Sequence, residues 1–222
     1  MPMATGFRNR TDAGRRLARL VHEHDLPDPV VLGLPRGGVP VAAEVASALR
    51  APLEVFVARK LGAPGHPELG IGAIAEGGGL VVDRSAVEFL ELTDDDVAAL
   101  AAPQWQELER RVRLYRGERG LPDLAGRDVV VVDDGLATGV TAEAALRALR
   151  EQRPRTLVLA VPACAASTVQ RLRGEADEVL CALTPPDFTA VGRWYEDFTQ
   201  TSDAEVLELL GRGAPATGGA HR

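Results

Sequence analysis

The chain has 222 residues and a mass of 23.5 kDa, a length typical of one large domain. Its 45% hydrophobic and 26% charged residues exclude a disordered or fibrous protein. No apolar run approaches the roughly 20 residues of a membrane-spanning helix, and Met1–Arg10 lacks the hydrophobic stretch of a secretory signal. Cys164 and Cys181 are too few for a disulfide scaffold. These features predict a cytoplasmic protein with no membrane partner.

The charge balance is acidic, with 25 basic against 32 acidic residues and a net charge of −7. This balance argues against a broad nucleic-acid-binding surface. Lys60 is the only lysine, so chemistry that needs several lysines is excluded.

Short apolar runs alternate with amphipathic helices along the chain, which predicts an α/β fold with a mainly parallel central sheet. The predicted strands of this sheet lie near residues 30–34, 53–58, 129–133, 157–161 and 179–183. The glycine-rich stretch 62–79 is associated with two shorter apolar runs, 71–75 and 80–82, which predict a hairpin. Helices are expected near residues 11–24, 39–49, 93–115, 141–150, 165–173 and 202–211, the last with a capping-box pattern.

The densest motif is a run of four valines followed by two acids and a small-residue turn, residues 129–141. Val129–Val132 predicts a strand buried on both faces, after which Asp133 and Asp134 emerge at the carboxyl edge, where α/β sheets bind ligands. The turn leads into a helix whose first N–H groups, beside the hydroxyls of Thr138 and Thr141, suit a phosphate. Because carboxylates repel phosphate, the two acids are expected to bind hydroxyl groups of the same ligand, such as a ribose. The motif therefore predicts a sugar-phosphate site.

Two further segments are predicted to reach the same edge. Arg36, Gly37 and Gly38 follow the first strand and open a helix, so a guanidinium and glycines that permit close approach meet there. Arg59 and Lys60 are expected at the end of the second strand, where they would bring two cations.

The 129–141 segment resembles the signature for phosphoribosyl diphosphate (PRPP) of type I phosphoribosyltransferases. The resemblance implies that Asp133 and Asp134 hold the ribose hydroxyls. It places the 5′-phosphate on Ala137, Thr138, Gly139, Val140 and Thr141. It assigns the diphosphate to Arg36, Gly37, Gly38, Arg59 and Lys60, of which Arg59 and Lys60 also act in catalysis with the two acids. It further implies Mg²⁺, bound mainly by oxygens of PRPP rather than by protein ligands. Val140 departs from the glycine found in many members, so its amide must reach the phosphate from an ordinary backbone conformation.

The resemblance covers roughly residues 7–210 and is most specific to a group of predicted bacterial and archaeal phosphoribosyltransferases of unsettled substrate. The segments that carry it are Arg59–Gly62, Gly65–Leu69, Gly72–Ala75 and Val191–Phe198. It implies a single domain over residues 1–212, with a central insertion near 62–127 and a small C-terminal hood near 184–200. Residues 213–222 are expected to form a disordered tail. The hood aromatics are expected either to stack on an acceptor base or to pack the hood on the core; they are Phe188, Trp194, Tyr195 and Phe198.

The expected activity is transfer of the phosphoribosyl group from PRPP to a nitrogen acceptor with release of pyrophosphate, a step in nucleotide or nucleoside metabolism. The absence of lysine after Lys60 disfavours orotate and 6-oxopurine acceptors, unless an arginine substitutes. A non-catalytic PRPP-binding regulator is the alternative, although residues 1–29 are too short for an added winged helix. A haloacid-dehalogenase-like phosphatase would need the D-x-D-x-T pattern, which the Asp133-Asp134-Gly135 run lacks. A homodimer is compatible with the resemblance.

Overall fold

A computed structural model describes residues 6–213, without the side chains of residues 67, 68, 212 and 213. The described strands are β1 (Pro29–Gly33), β2 (Leu53–Val55), β3 (Ala58–Ala63), β4 (His66–Ala75), β5 (Gly79–Val82), β6 (Asp128–Val132), β7 (Thr156–Ala163) and β8 (Glu178–Leu183). The helices are α1 (Arg10–His22), α2 (Gly38–Leu49), α3 (Arg84–Phe89), α4 (Asp94–Arg116), α5 (Val140–Arg150), α6 (Ala166–Leu172) and α7 (Asp203–Gly213). A short 3-10 turn spans Val191–Trp194.

The central sheet has five parallel strands in the order β2-β1-β6-β7-β8. Strand β6 lies in the middle, and Val129–Val132 are fully buried because helices cover both faces of the sheet. The predicted α/β fold with a mainly parallel sheet is confirmed. The carboxyl ends of the five strands share one edge, which gathers the loops that follow them.

A second sheet of three antiparallel strands, in the order β3-β4-β5, lies between β2 and β6 in the chain. It contains the predicted hairpin and packs against α5 and α4. The prediction of one strand over residues 53–58 is wrong. Strand β2 ends at Val55, and Ala58 already belongs to the second sheet, which therefore begins earlier than the insertion expected from residue 62.

A buried ion pair explains where the chain leaves the first sheet. Arg116 donates to the carbonyl oxygen of Val55 (3.1 Å), and the N–H of Val57 donates to the Glu76 carboxylate (2.7 Å). Arg116 also binds Glu76, and the two side chains are only 5% and 10% exposed. These partners satisfy backbone groups that would otherwise require a neighbouring strand. The chain can therefore turn from one sheet to the other at Phe56 and Val57.

The helices follow the predicted pattern with one addition, α3, which begins directly after its N-cap residue Asp83. Helix α4 has a reciprocal capping box between Thr93 and Asp96. The predicted box at α7 is confirmed, with Glu205 accepting from the Ser202 N–H at 2.7 Å. Gly213 ends α7, and the rest of the predicted tail, residues 214–222, lies outside the described residues. Within residues 6–213, no helix combines the length and apolar character needed to cross a membrane.

Candidate functional site

The two acids that follow β6 are packed directly against the turn that follows β1. A Cβ atom on Gly37 would lie 1.9 Å from Oδ2 of Asp134, and one on Gly38 would lie 2.9 Å from the Cα of Asp133. Real Cβ contacts are essentially never closer than 3.0 Å, so a side chain at either position would force its neighbours to move. Arg36 and Asp134 line the same small pocket of about 380 Å³. The prediction that these two loops meet at one edge is confirmed.

Asp133 and Asp134 form a half-buried pair of carboxylates. Desolvation raises the pKa of Asp133 well above its usual value, and the charge of Asp134 raises it further. The Asp134 N–H, which donates to Oδ1 of Asp133 at 2.8 Å, partly opposes this shift. Burial also raises the pKa of Asp134, against the lowering effect of a nearby guanidinium. A ligand that donates hydrogen bonds to the two carboxylates would therefore stabilise their ionised forms.

The predicted phosphate-binding loop, residues 137–141, runs from β6 into α5. Gly139 has φ of +67° and caps the helix, and Val140 is its first residue, so Val140 takes up the ordinary backbone conformation expected from the sequence. Ala137 and Thr138 are exposed. The first N–H groups of α5 have no acceptor within the helix and are free to bind an anion.

Helix α6 holds this loop from the other side. The Thr168 hydroxyl donates to the carbonyl oxygen of Ala137 (2.5 Å), and Arg171 donates to the carbonyl oxygen of Thr138. Arg171 also forms an ion pair with Glu143, which accepts from Arg147 at 2.7 Å. Both carbonyl oxygens are thus turned toward α6, which leaves the opposite side of the loop for a ligand.

Arg36 lies at the same edge, 4.0 Å from the Asp203 carboxylate at the start of α7. The Tyr115 hydroxyl donates to the same carboxylate at 2.5 Å, and burial raises the pKa of Tyr115 to about 12. The N–H of Gly38 donates to the carbonyl oxygen of Leu34 at 3.0 Å. A diphosphate at this turn would therefore meet the Arg36 side chain rather than the Gly38 amide.

The sequence predicted that Arg59 and Lys60 end a strand of the parallel sheet. That prediction is wrong, because both residues lie within the antiparallel strand β3. Neighbouring residues of a strand point to opposite faces. Arg59 donates to Gln104 at 3.0 Å and lies 3.6 Å from Glu107, so it is directed at α4. Lys60 instead lines a cavity of about 700 Å³ together with Thr138 of the phosphate-binding loop. The structure brings Lys60 to that loop and separates it from Arg59.

The hood aromatics mostly pack against protein. Phe188 stacks on Trp194 with 6.3 Å between ring centroids. Tyr195 is buried, contacts Phe7, and donates its hydroxyl to the main-chain oxygen of Asp134 at 2.6 Å. Of the four, Phe198 lines the pocket of Arg36 and Asp134.

Sequence reasoning missed Arg10, the first residue of α1. Its Nε donates to Oδ2 of Asp134 at 2.8 Å, and its guanidinium lies 4.0 Å from the centre of the Phe198 ring. No local pattern marks this residue, because its partner is 124 positions away.

The site has the donor type that Mg²⁺ prefers, since the carboxylate oxygens of Asp133 and Asp134 are hard ligands. Within residues 6–213, no three His, Cys, Asp or Glu side chains are grouped as a metal site. The two carboxylates are oxygen donors that fit such a cation.

Comparison with known proteins agrees with this geometry. Residues 7–195 match the family model of the phosphoribosyl transferase domain. The chain belongs to this family. The match spans both sheets and the sugar-phosphate motif, and it confirms the resemblance to type I phosphoribosyltransferases.

Relatives of this phosphoribosyltransferase-domain protein include proteins from two Mycobacterium tuberculosis strains, CDC 1551 and H37Rv, which are provisionally named phosphoribosyl transferases. Each is 48% identical over 206 residues, which cover 93% of this chain and 46% of the relative. The chain thus spans about half the length of these relatives. A Thermus thermophilus protein of known crystal structure is 44% identical, with a TM-score of 0.80 over 95% of this chain and all of that one.

Proposed function

We propose that this protein transfers the 5-phosphoribosyl group of PRPP to a nitrogen acceptor and releases pyrophosphate. The observation that carries the proposal is the placement of a carboxylate pair and a helix N-terminus, a few residues apart, at the carboxyl edge of the sheet. The pair suits the ribose hydroxyls, and the loop suits the 5′-phosphate. The family assignment supports the same ligand.

Each group has a distinct part in the reaction. Asp133 and Asp134 would accept hydrogen bonds from the ribose 2′- and 3′-hydroxyls, and residues 137–141 would hold the 5′-phosphate. Arg36 and Lys60 would stabilise the negative charge that develops as pyrophosphate leaves C1. Such a reaction depends mainly on positioning and on charge placement. Arg59 would reach the diphosphate only after leaving Gln104 and Glu107, so we give it a smaller part.

Magnesium is part of the proposal, with most of its ligands supplied by diphosphate and ribose oxygens. When bound, it would neutralise the diphosphate and make pyrophosphate a better leaving group. Asp133 and Asp134 would support it by fixing the ribose whose oxygens contribute to its coordination.

The pocket beside Asp134 is where the acceptor would approach. Phe198 is 37% exposed at this pocket, and Gln200 offers an amide hydrogen-bond donor. We propose a planar nitrogen heterocycle as the acceptor class.

The test is to incubate the protein with PRPP, Mg²⁺ and a panel of nucleobases and to measure pyrophosphate release. We expect release with at least one base, and none from the double variant Asp133→Asn/Asp134→Asn. Thermal unfolding with and without PRPP gives a second readout, because a ligand that binds the native state raises its stability. A rise in melting temperature without pyrophosphate release from any base would support a PRPP-binding regulator instead. Failure to bind PRPP would refute both.

A further inference from the structure

Arg10 is fixed in place by contacts on several sides. Its Nε and a terminal nitrogen each lie 2.8 Å from Oδ2 of Asp134, and its other terminal nitrogen donates to the carbonyl oxygen of Thr199 at 2.7 Å. The face of the guanidinium covers the Phe198 ring at 4.0 Å. The side chain is 11% exposed. A guanidinium held this tightly is a fixed part of the site rather than a mobile surface charge.

The segment before α1 is joined to the hood by main-chain bonds. The N–H of Phe7 donates to the carbonyl oxygen of Trp194 at 2.7 Å, and the N–H of Glu196 donates to the carbonyl oxygen of Phe7 at 2.9 Å. These bonds make a short parallel pairing of Phe7 with Tyr195. The side chain of Asn9 then caps α1 by accepting from the N–H of the third helical residue at 2.9 Å. The main chain just before Arg10, at the start of α1, is therefore held in place by hydrogen bonds.

The same hood segment also holds the main chain of Asp134. Tyr195 binds the carbonyl oxygen of Asp134, while Arg10 binds its carboxylate. Both contacts of Arg10 fall on Oδ2, so neither of them engages Oδ1. Arg10 thereby sets the direction of the carboxylate and balances its charge beside Asp133, and it leaves one oxygen for a second partner.

We propose that Arg10 is a positioning residue that orients Asp134 for a ribose hydroxyl and links the hood to the sugar site. The proposal rests on the proposed function, because it names the partner of Asp134 as a ribose. In this proposal, helix α1 and the hood together hold the Asp134 carboxylate in the orientation that a ribose hydroxyl requires.

The experiment compares Arg10→Met and Arg10→Lys with Arg16→Met as the matched control. Arg16 lies on the same helix, and its guanidinium also faces an aromatic ring, that of Phe7 at 5.1 Å, but its ion pair is with Asp12. Calorimetry measures the affinities for three probes: PRPP, ribose 5-phosphate and pyrophosphate. Pyrophosphate has no hydroxyl groups for Asp134, so it reports on the diphosphate region alone.

We expect Arg10→Met to lower the affinities for PRPP and ribose 5-phosphate by roughly 10- to 100-fold, the usual cost of losing an orienting partner. Pyrophosphate should bind it as it binds the parent. Arg10→Lys should recover part of the loss, because it keeps the charge but not the fork geometry. Arg16→Met should bind all three probes normally. Equal weakening of all three probes by Arg10→Met, or tighter PRPP binding, would overturn the proposal.

A second measurement needs no ligand. Urea unfolding of Arg10→Met, Asp134→Asn and the double variant should show strong coupling, so that the double variant is no less stable than the weaker single variant. Additive losses would overturn the direct link between the two residues. If Arg10→Met does not fold, Arg10→Lys and Arg10→Gln take its place in both measurements. A parent that binds none of the probes refutes the proposed function, whereas a parent that binds and an Arg10→Met that binds equally refutes only the role of Arg10.

Discussion

Asp128 and Asp133 stand at the two ends of strand β6, and their surroundings shift the pKa values of the two carboxyls in opposite directions. Asp128 accepts from Arg155 (2.9 Å) and from the Asp28 N–H (3.0 Å), and these bonds lower its pKa. Asp133 has no cation bound to it within the described residues, and desolvation raises its pKa. The strand thus begins with a carboxylate that supports folding and is followed by one that opposes it when ionised.

The substitution Asp133→Asn should stabilise the ligand-free protein at pH 7. A carboxyl whose pKa is raised by folding contributes its stability at low pH and loses it as pH rises through the folded-state pKa. Asparagine removes this loss, and its Oδ1 can still accept from the Asp134 N–H. We expect a gain of about 0.5–2 kcal/mol in the free energy of unfolding, measured with urea at pH 7, together with the loss of PRPP binding. The gain should shrink at pH 4.

Asp128→Asn is the matched control and should have the opposite effect. A carboxyl with a lowered pKa contributes stability above its unfolded-state pKa and loses it as pH falls through the folded-state value. Breaking its contact with Arg155 should cost about 1–3 kcal/mol at pH 7. Destabilisation by both substitutions at pH 7 would contradict the desolvation of Asp133.

The substitution Gly37→Ala tests the close packing of the two loops. Gly37 has φ of −62° and ψ of −32°, so alanine fits the backbone, and the methyl group is opposed by the Asp134 carboxylate and, at 3.1 Å, by Nε of Arg10. We expect it to cost about 1–3 kcal/mol of stability and to weaken PRPP binding. Gly211→Ala is the control, since nothing lies within 4 Å of its added carbon. In helix α7 it should stabilise by about 0.5–1 kcal/mol and leave binding unchanged.

These residues also show how far the sequence alone could lead. Val129–Val132 and the turn after them carry their own pattern, so the strand, the acids and the phosphate-binding loop could be predicted together. The end of β2 could not, because the partners that replace a strand neighbour there are Glu76 and Arg116, 19 or more positions away. Arg10 was missed for the same reason. Local periodicity predicts elements, whereas contacts between distant residues decide where a strand leaves a sheet.

Arg171→Met and Arg147→Met separate the support of the phosphate-binding loop from a surface ion pair. Both arginines bind Glu143, but Arg171 also binds the carbonyl oxygen of Thr138. We expect Arg171→Met to lower the affinity for ribose 5-phosphate several-fold, because the phosphate-binding loop loses a fixed contact. Arg147→Met should bind it normally and change stability by at most about 1 kcal/mol. Equal affinities of the two variants in calorimetry would show that Arg171 does not order the loop.

Lys60→Met tests the only lysine of the chain. Lys60 lines a cavity together with Thr138 of the phosphate-binding loop, whereas Arg59 is held by α4. If Lys60 stabilises the departing pyrophosphate, its loss should lower turnover by roughly 10²-fold. The affinity for PRPP should fall, whereas ribose 5-phosphate should bind almost normally. Arg59→Met is the matched control and should lower turnover less. Equal weakening of PRPP and ribose 5-phosphate by Lys60→Met would assign Lys60 to the 5′-phosphate instead. Unchanged turnover and affinity would show that Lys60 is a solvated surface residue, and the diphosphate would then depend on Arg36.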